Sequence, residues 1–485
     1  MIATLRRAAV VGATTLIAAL GGCDLGPDYK RPDSPTPGGW REGSSDPEAI
    51  WPSADWWRGF GSAELNEMMT VAQRANADIG AAIARVKQAD AQVRIAGAPL
   101  LPSRMASGGP STQQAVFPIG ATPQVAYTTY TVQLNASYEV DFWGKNRAAL
   151  ASAQAAAHAS RYDQEVVALT VVSSVANSYF QALGLSDRLQ VARENLAAAE
   201  NVLSLVQSQA RVGTATDLSV AQQEALVANL RAAIPPLQQQ YSQTLNALAI
   251  LRNKPPTAVA IAARSLAPLP VPEVAPGLPS ELLTWRPDVR QAEAQLISAN
   301  ANIKVARAAF FPSLSLTAAG GFQSLALSSF LGPGGTIYTL AAALTQPIFE
   351  GGRLHGQLAS SKGRYEELVQ SYQKAVISAY SNVEDALAAT KRTAEQQASQ
   401  QVAVAKARRA YELAQVQYRV GSTDLLTVLS TETTLFSAND QLAQARIARM
   451  QALVSLFKAL GGGWQDGGNL NVAMVQAPAA GRGRR

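Results

Sequence analysis

Few side chains in this 485-residue chain are equipped for covalent or metal chemistry: it carries one cysteine, Cys23, and two histidines, His158 and His355. The histidines stand about two hundred residues apart with no cysteine beside either, so a His-based metal site or a Ser-His-Asp triad has little to work with. There is no Walker loop, HExxH helix or GxSxG elbow. An enzyme is therefore the weaker expectation, and neither a cofactor nor a metal is expected. The thiol is different, because of where it sits. Arg6-Arg7, an apolar run from Ala8 to Leu20 and small residues before Cys23 make a secretory leader, too short for a comfortable membrane-spanning helix. Leu20-Gly21-Gly22-Cys23 resembles the bacterial lipobox, in which the cysteine is diacylated and becomes the mature N-terminus. The alternative is an ordinary buried cysteine. Asp24 resembles an inner-membrane retention signal of enteric bacteria and leaves the anchoring leaflet open.

Composition narrows the rest. The chain is 47% hydrophobic and only 16% charged, with aromatics at 6%, a profile suited to close helix packing. Arg6 and Arg7 in the leader and Arg482, Arg484 and Arg485 in the tail supply five of the six net positive charges. A body left at about +1 lacks the dense basic face of a nucleic-acid binder, so nucleic acid is not an expected partner.

The chain is written twice. Ala98-Pro99-Leu100-Leu101-Pro102-Ser103 lines up with Ala308-Ala309-Phe310-Phe311-Pro312-Ser313, and Phe142-Trp143-Gly144 with Phe349-Glu350-Gly351. Val175-Ala176-Asn177 matches Val383-Glu384-Asp385, and Arg211-Val212-Gly213 matches Arg419-Val420-Gly421, all at offsets of 207 to 210. The expected organisation is a leader over 1–22, a lipidated strap over 23–59, repeat 1 over 60–256, a Pro-rich linker over 257–280, repeat 2 over 281–464 and a tail over 465–485.

Each repeat changes period. Residues 64–98 and 281–309 carry apolar residues at helical spacing, such as Ile83, Val86, Ala89 and Val93, and Pro102 and Pro312 close those helices. Alternation follows: Tyr130, Val132, Leu134, Ala136, Tyr138 and Val140 against Thr131, Gln133, Asn135, Ser137, Glu139 and Asp141. Strands are expected at about 101–107 (weakly patterned), 128–141, 313–322 and 337–348, with the Gly/Pro/Ser-rich segments 107–126 and 320–336 as loops at one mouth. Alternation alone fits a half-buried sheet on a soluble core. The leader favours instead a tilted transmembrane barrel, apolar to lipid and polar to a lumen. Single-chain barrels need at least about eight strands and lipid tolerates no open edge, so four strands per chain imply an oligomer.

Long helical patterns follow at 145–212 and 353–420, each reaching roughly 100 Å at ~1.5 Å per residue, with Gly184 a local weak point. Matching glycine turns lead into return helices over 217–253, interrupted by Pro235-Pro236, and 424–460. The fold class is mainly α with a membrane β section, built on a duplicated helix-strand-strand-long helix-helix unit.

The lipobox followed by Gly26-Pro27-Asp28-Tyr29, the run Thr284-Trp285-Arg286-Pro287-Asp288-Val289, Phe311-Pro312-Ser313, Gln346-Pro347-Ile348-Phe349 with Gly351-Gly352-Arg353, and the closing Lys458-Ala459-Leu460-Gly461-Gly462-Gly463-Trp464 together resemble the TolC-like outer-membrane efflux channels, in their NodT-type lipoprotein branch. The resemblance covers residues 20–465. It implies a homotrimer with a 12-stranded β-barrel continuous with a 12-helix periplasmic α-barrel, anchored in outer-membrane lipid at Cys23. It also implies two partners, a periplasmic membrane-fusion adaptor and an inner-membrane resistance-nodulation-division (RND) pump.

On that resemblance the turns holding Asp217 and Asp424 lie at the periplasmic tip, where copies of Asp424 would form a cation-selecting ring; the plainer reading makes each a helix N-cap. Many relatives carry an acid where this chain has Ser430, so the gate would hold less charge or place it differently. The turns Arg211-Val212-Gly213 and Arg419-Val420-Gly421 would meet the adaptor, or serve as turn chemistry alone. Glu139 and Asp141 could line the lumen or end a strand in water. Trp51, Trp56 and Trp57 suit a membrane interface or equatorial packing. Besides an export duct, the pattern admits the outer-membrane component of type I protein secretion. A trimeric coiled-coil surface lipoprotein is a third reading, but it predicts no strand pair in each half.

Overall fold

The computed structural model describes residues 25–42, 51–115, 125–274 and 279–464. Cys23, Asp24, the leader, part of the 107–126 segment and the arginine-bearing tail lie outside the described residues. The first repeat runs α1 (Ala63–Ala75), α2 (Ala77–Gly97), β1 (Ser103–Ala115), β2 (Val125–Val140), α3 (Lys145–Arg211) and α4 (Asp217–Leu251). The second runs α5 (Pro279–Trp285), α6 (Pro287–Ala308), β3 (Ser313–Ser324), β4 (Thr336–Thr345), α7 (Arg353–Arg419) and α8 (Leu425–Ala459).

The leading helix of each repeat is broken once, where a single helix is expected. At the first break Asn76 leaves the helical region (ψ 133°), and its Oδ1 accepts from the backbone N–H groups of Asp78 and Ile79 at 2.9 and 3.1 Å. A side chain that caps competes with the helix that would run through it. The second break falls at Arg286, just before Pro287, which disfavours helix at the residue preceding it; the Arg286 guanidinium donates to the carbonyl of Ala459 at 3.0 Å.

The four strands form one antiparallel sheet in the order β1-β2-β3-β4. Its register aligns Ala136 with Ala318 and Ala318 with Leu340. One face therefore carries Leu134, Ala136, Tyr138, Leu314, Leu316, Leu340 and Leu344, and the other Gln133, Asn135, Ser137, Ser315, Thr317 and Thr339. Strand β1 is far longer than the expected 101–107, running through Gly108, Gly109 and Pro110 to Ala115. Pairing with the strongly patterned β2 carries it. Of the segment 107–126 expected as a loop, 107–115 and 125–126 are strand; in 320–336 strand takes only 320–324 and 336, and the rest is the expected loop, with two short 3₁₀ turns. Strand β4 stops at Thr345 instead of 348, because Pro347 has no N–H for the ladder.

Helices α3 and α7 hold 67 residues each, roughly 100 Å at ~1.5 Å per residue. Left-handed glycines, Gly144 (φ 73°) and Gly352 (φ 85°), open both helices. Gly184 does not weaken α3. A Cβ there would meet Ile447 of α8 at 2.0 Å, so the missing side chain is what lets the two helices approach. Nor do Pro235 and Pro236 interrupt α4, which runs unbroken for 35 residues. Each costs one backbone hydrogen bond, but Leu237, Ile234 and Tyr241 pack beside them on Leu185 and Leu189 of α3, and tertiary contact overrides local preference.

The main core lies midway, near the ends of α1, α4 and α8. Trp56 stacks on Phe457 at 4.7 Å and Trp51 on Trp285 at 5.4 Å, so these tryptophans pack within the protomer. From Leu25 to Glu42 the chain runs along the second repeat as a strap. Arg31 forks onto Glu293 at 2.7 and 2.9 Å, with Glu293 almost fully buried. Glu42 meets Lys391 and Arg392 at the strap's other end. Replacing Arg31 by Ala removes a bidentate charged pair worth about 1.5–3 kcal/mol. Limited proteolysis should then cut between residues 25 and 42 at least tenfold faster, leaving the helical body intact.

Candidate functional site

At the end of the molecule remote from the sheet, the two helical hairpins α3–α4 and α7–α8 turn side by side. Each turn is closed by the same device. Gly213 (φ 80°) and Gly421 (φ 73°) adopt the left-handed conformation. Thr214 N–H then donates to Gln209 O and Ser422 N–H to Gln417 O, both at 2.9 Å. These are Schellman closures, which a residue with a Cβ enters only under strain. The geometry leaves Val212 and Val420 on the outside, each 74% exposed, beside the exposed Arg211 and Arg419.

The two acids differ in role. Asp424 is the N-cap of α8: its Oδ1 accepts from Thr427 N–H at 2.8 Å and Thr427 Oγ1 at 2.6 Å. These bonds hold its carboxyl below the usual carboxylate range. Asp217 is not a cap. It is the first helical residue of α4, and Thr216 Oγ1 caps instead, accepting from Ser219 N–H at 3.2 Å. Ser430 lies exposed one and a half turns beyond Asp424.

Three polar clusters tie the hairpins together, none of which the motif reading singles out. At the tip, Tyr418 Oη donates to Gln209 Oε1 at 2.7 Å, joining α7 to α3. Two turns inward, Glu432 of α8 is fully buried and accepts from Tyr411 Oη of α7 at 3.1 Å. Gln223 of α4, also fully buried, lies against that carboxyl. Further up, Arg188 of α3 forks onto Asp440 of α8 at 2.7 and 3.1 Å. Glu432 had a readable signal: it is an acid inside the apolar stripe Val428, Leu435, Phe436. Tyr418 and Gln209 had none, since their meeting depends on how two separate hairpins align.

At the sheet end, Glu139 pairs with Lys145 at 2.9 Å. Asp141 lies past the end of β2, and its carboxylate accepts from the N–H groups of Asn146 and Arg147 at 2.8 and 2.9 Å. It is thereby committed to the start of α3. No group of three or more potential metal ligands occurs among the described residues.

Two comparisons of sequence and one of structure bear on these features. The family model described as outer membrane efflux protein matches residues 69–253 and 278–462, one segment in each repeat. The pyoverdine export outer membrane protein OpmQ of Pseudomonas aeruginosa is 43% identical over 457 residues, covering 92% of this chain and 95% of that protein. The toluene efflux pump outer membrane protein TtgF of Pseudomonas putida is 34% identical, covering 93% and 96%. Among solved structures, the CmeC outer membrane channel of Campylobacter jejuni superimposes with a TM-score of 0.86 at 25% identity, covering 93% of this chain and 97% of that one.

Proposed function

This chain belongs to the outer membrane efflux protein family, and on that footing we propose that three copies form one passive duct, opened at its far tip by an adaptor and an inner-membrane pump. One observation carries the assembly: a four-stranded sheet with an apolar face ends in two unpaired edges, β1 and β4. Lipid tolerates no such edge, and β4 of one copy against β1 of the next removes all of them. Three copies give twelve strands, above the smallest known barrels of about eight. From Tyr130 to Tyr138 the apolar face spans roughly 27 Å along the strand at ~3.4 Å per residue, close to the apolar band of about 25 Å expected of an outer-membrane barrel once tilt is allowed for. The helices α3 and α7 then extend into the periplasm for roughly 100 Å.

In this reading Cys23 is acylated and anchors the strap in the outer membrane. The exposed Arg211-Val212-Gly213 and Arg419-Val420-Gly421 turns receive the adaptor's tip, and an RND pump supplies the driving force. Asp217, Asp424 and Ser430 surround the closing aperture. Glu139 contributes to the lumen wall, while Asp141 acts on the helix start. Names of relatives point to small cargo of different kinds, pyoverdine in one, toluene in another and cations in a third; here too the cargo is a small molecule, chosen by the pump upstream.

Projection imaging and mass determination on the same detergent-solubilised sample test the assembly. A hollow three-fold cylinder of three chains is expected, with its N-terminal mass increased by acylation at Cys23. A monomer or a solid stalk would sink the duct.

A further inference from the structure

We propose that Glu432 is a buried proton-binding site that holds the tip shut: the packed hairpins keep its carboxyl neutral, and loss of the proton favours their parting. The inference rests on the tip being the closed end of the duct.

All four long helices converge at this point. Glu432 comes from α8 and Tyr411, whose hydroxyl bonds Glu432 Oε1 at 3.1 Å, from α7. Gln223 comes from α4, and its Nε2 donates at 2.8 Å to the carbonyl of Ala199 in α3. That bond uses one of the amide's two N–H groups. Gln223 Oε1 and Glu432 Oε2 are both left without a hydrogen-bond partner in the structure. A proton on Oε2 removes the charge and turns an orphaned acceptor into a donor. An ionised carboxylate would keep an unpartnered oxygen in a site where Glu432 and Gln223 are each fully buried, the costly arrangement.

No cation relieves the charge. The influences on the carboxyl are burial, which raises its pKa, and the Tyr411 hydrogen bond and the nearby Gln223 amide, which lower it. From α7, Arg419 acts on Tyr411 and is not among the groups acting on Glu432. On α3, Glu200 is turned outward to Arg231 at 2.7 Å. On α4, Glu224 accepts from Gln207 at 3.5 Å. On α8 itself, Asp424 is held by Thr427 and Asp440 by Arg188. Burial wins, and the Glu432 carboxyl is pushed up to about 7.

The sign follows from linkage. A parted tip returns Glu432 to water and its ordinary value of 4.5. Below that value both forms hold the proton and pH has no leverage. Between there and about 7 the parted form has released its proton to solvent while the packed form retains it. Each pH unit then favours parting by roughly tenfold per protomer. Above that window both forms are ionised and the effect levels off. Asp424 lies too low to act in this window, because its own hydrogen bonds depress it. His355 packs on Phe310 at the sheet end, and His158 lies in the first turns of α3.

The experiment is single-channel recording from the full-length protein in planar bilayers, with pH stepped from 5 to 8 on the tip side. Wild type should open at least tenfold more often at pH 7 than at pH 5 and level off beyond. Glu432→Gln, which stays neutral, should be flat and mostly closed throughout. Tyr411→Phe, lacking the hydroxyl that favours the carboxylate, should shift the rise to higher pH. A flat wild type, or Glu432→Gln retaining the wild-type slope, overturns the proposal. If Glu432→Gln does not assemble, an unmoved midpoint in Tyr411→Phe overturns it. Normal channels without a slope reject the proton site alone. Absence of channels at every pH rejects the duct reading and the gate with it.

Discussion

Replacing Tyr418 by Phe should raise the resting leak of the channel by ten- to a thousandfold. The hydroxyl makes one bond, to Gln209 Oε1 at 2.7 Å, and it joins the last turn of α7 to the last turn of α3. A single hydrogen bond of this kind contributes about 0.5–1.5 kcal/mol net. Alone that shifts a two-state tip by about tenfold or less. In a three-fold assembly whose tip opens as a unit, three copies are lost together, about 1.5–4.5 kcal/mol, and each 1.4 kcal/mol is about a factor of ten. The ring stays in place, so packing is preserved and the barrel should melt as wild type does. Gln209→Ala should leak comparably. The double variant should leak no more than either single one, because both remove the same bond. Conductance in planar bilayers, with entry of a large hydrophilic antibiotic into cells as the second readout, decides the matter. Additive effects would mean that Tyr418 and Gln209 act through other partners. Arg211→Ala is the contrast: its side chain reaches Ser208 in its own helix at 3.0 Å, so the leak should barely change.

That contrast mirrors what could be read from the residues alone. Features encoded within a few positions were legible: the duplicated landmarks, the two 67-residue helices, the left-handed Gly213 and Gly421, and the two-faced β2. Local rules failed where a distant surface decides. Gly108, Gly109 and Pro110 are turn residues by type, yet they lie in β1 opposite Val132, Thr131 and Tyr130, because β2 supplies a ladder. Pro235 and Pro236 stop helices by type, yet α4 runs on through them, packed on α3. The motif reading found the tip's outer residues, whose positions follow from the turns. It missed its inner ones. Tyr418 meets Gln209, and Glu432 meets Gln223, across 209 positions in each case, and only the phasing of one hairpin against the other brings them together.

Gly461→Ala should be one of the most damaging single-methyl changes among the described residues, lowering stability by about 2–5 kcal/mol. Two costs combine there. Gly461 has φ 86°, where a residue with a Cβ loses about 1–2 kcal/mol. An added Cβ would also stand 2.0 Å from the carbonyl oxygen of Trp285. That atom is backbone at the α5–α6 break, and it cannot swing aside as a side chain could. Overpacking of this sort costs about 1–3 kcal/mol or more. The junction cannot simply open, because Gly461 closes α8 through its N–H to Lys458 O at 3.0 Å. Next to it, Arg286 ties the break to Ala459 O at 3.0 Å. Gly421→Ala separates the two terms. Its φ is 73°, but nothing lies within 4 Å of the added methyl, so it carries only the conformational cost. Its position at a hairpin end makes that loss local. Thermal unfolding of the purified assembly should therefore show a clear drop in midpoint for Gly461→Ala and little change for Gly421→Ala, whose effect should surface as greater leak. Equal melting of the two would mean that the α8 terminus yields to the methyl.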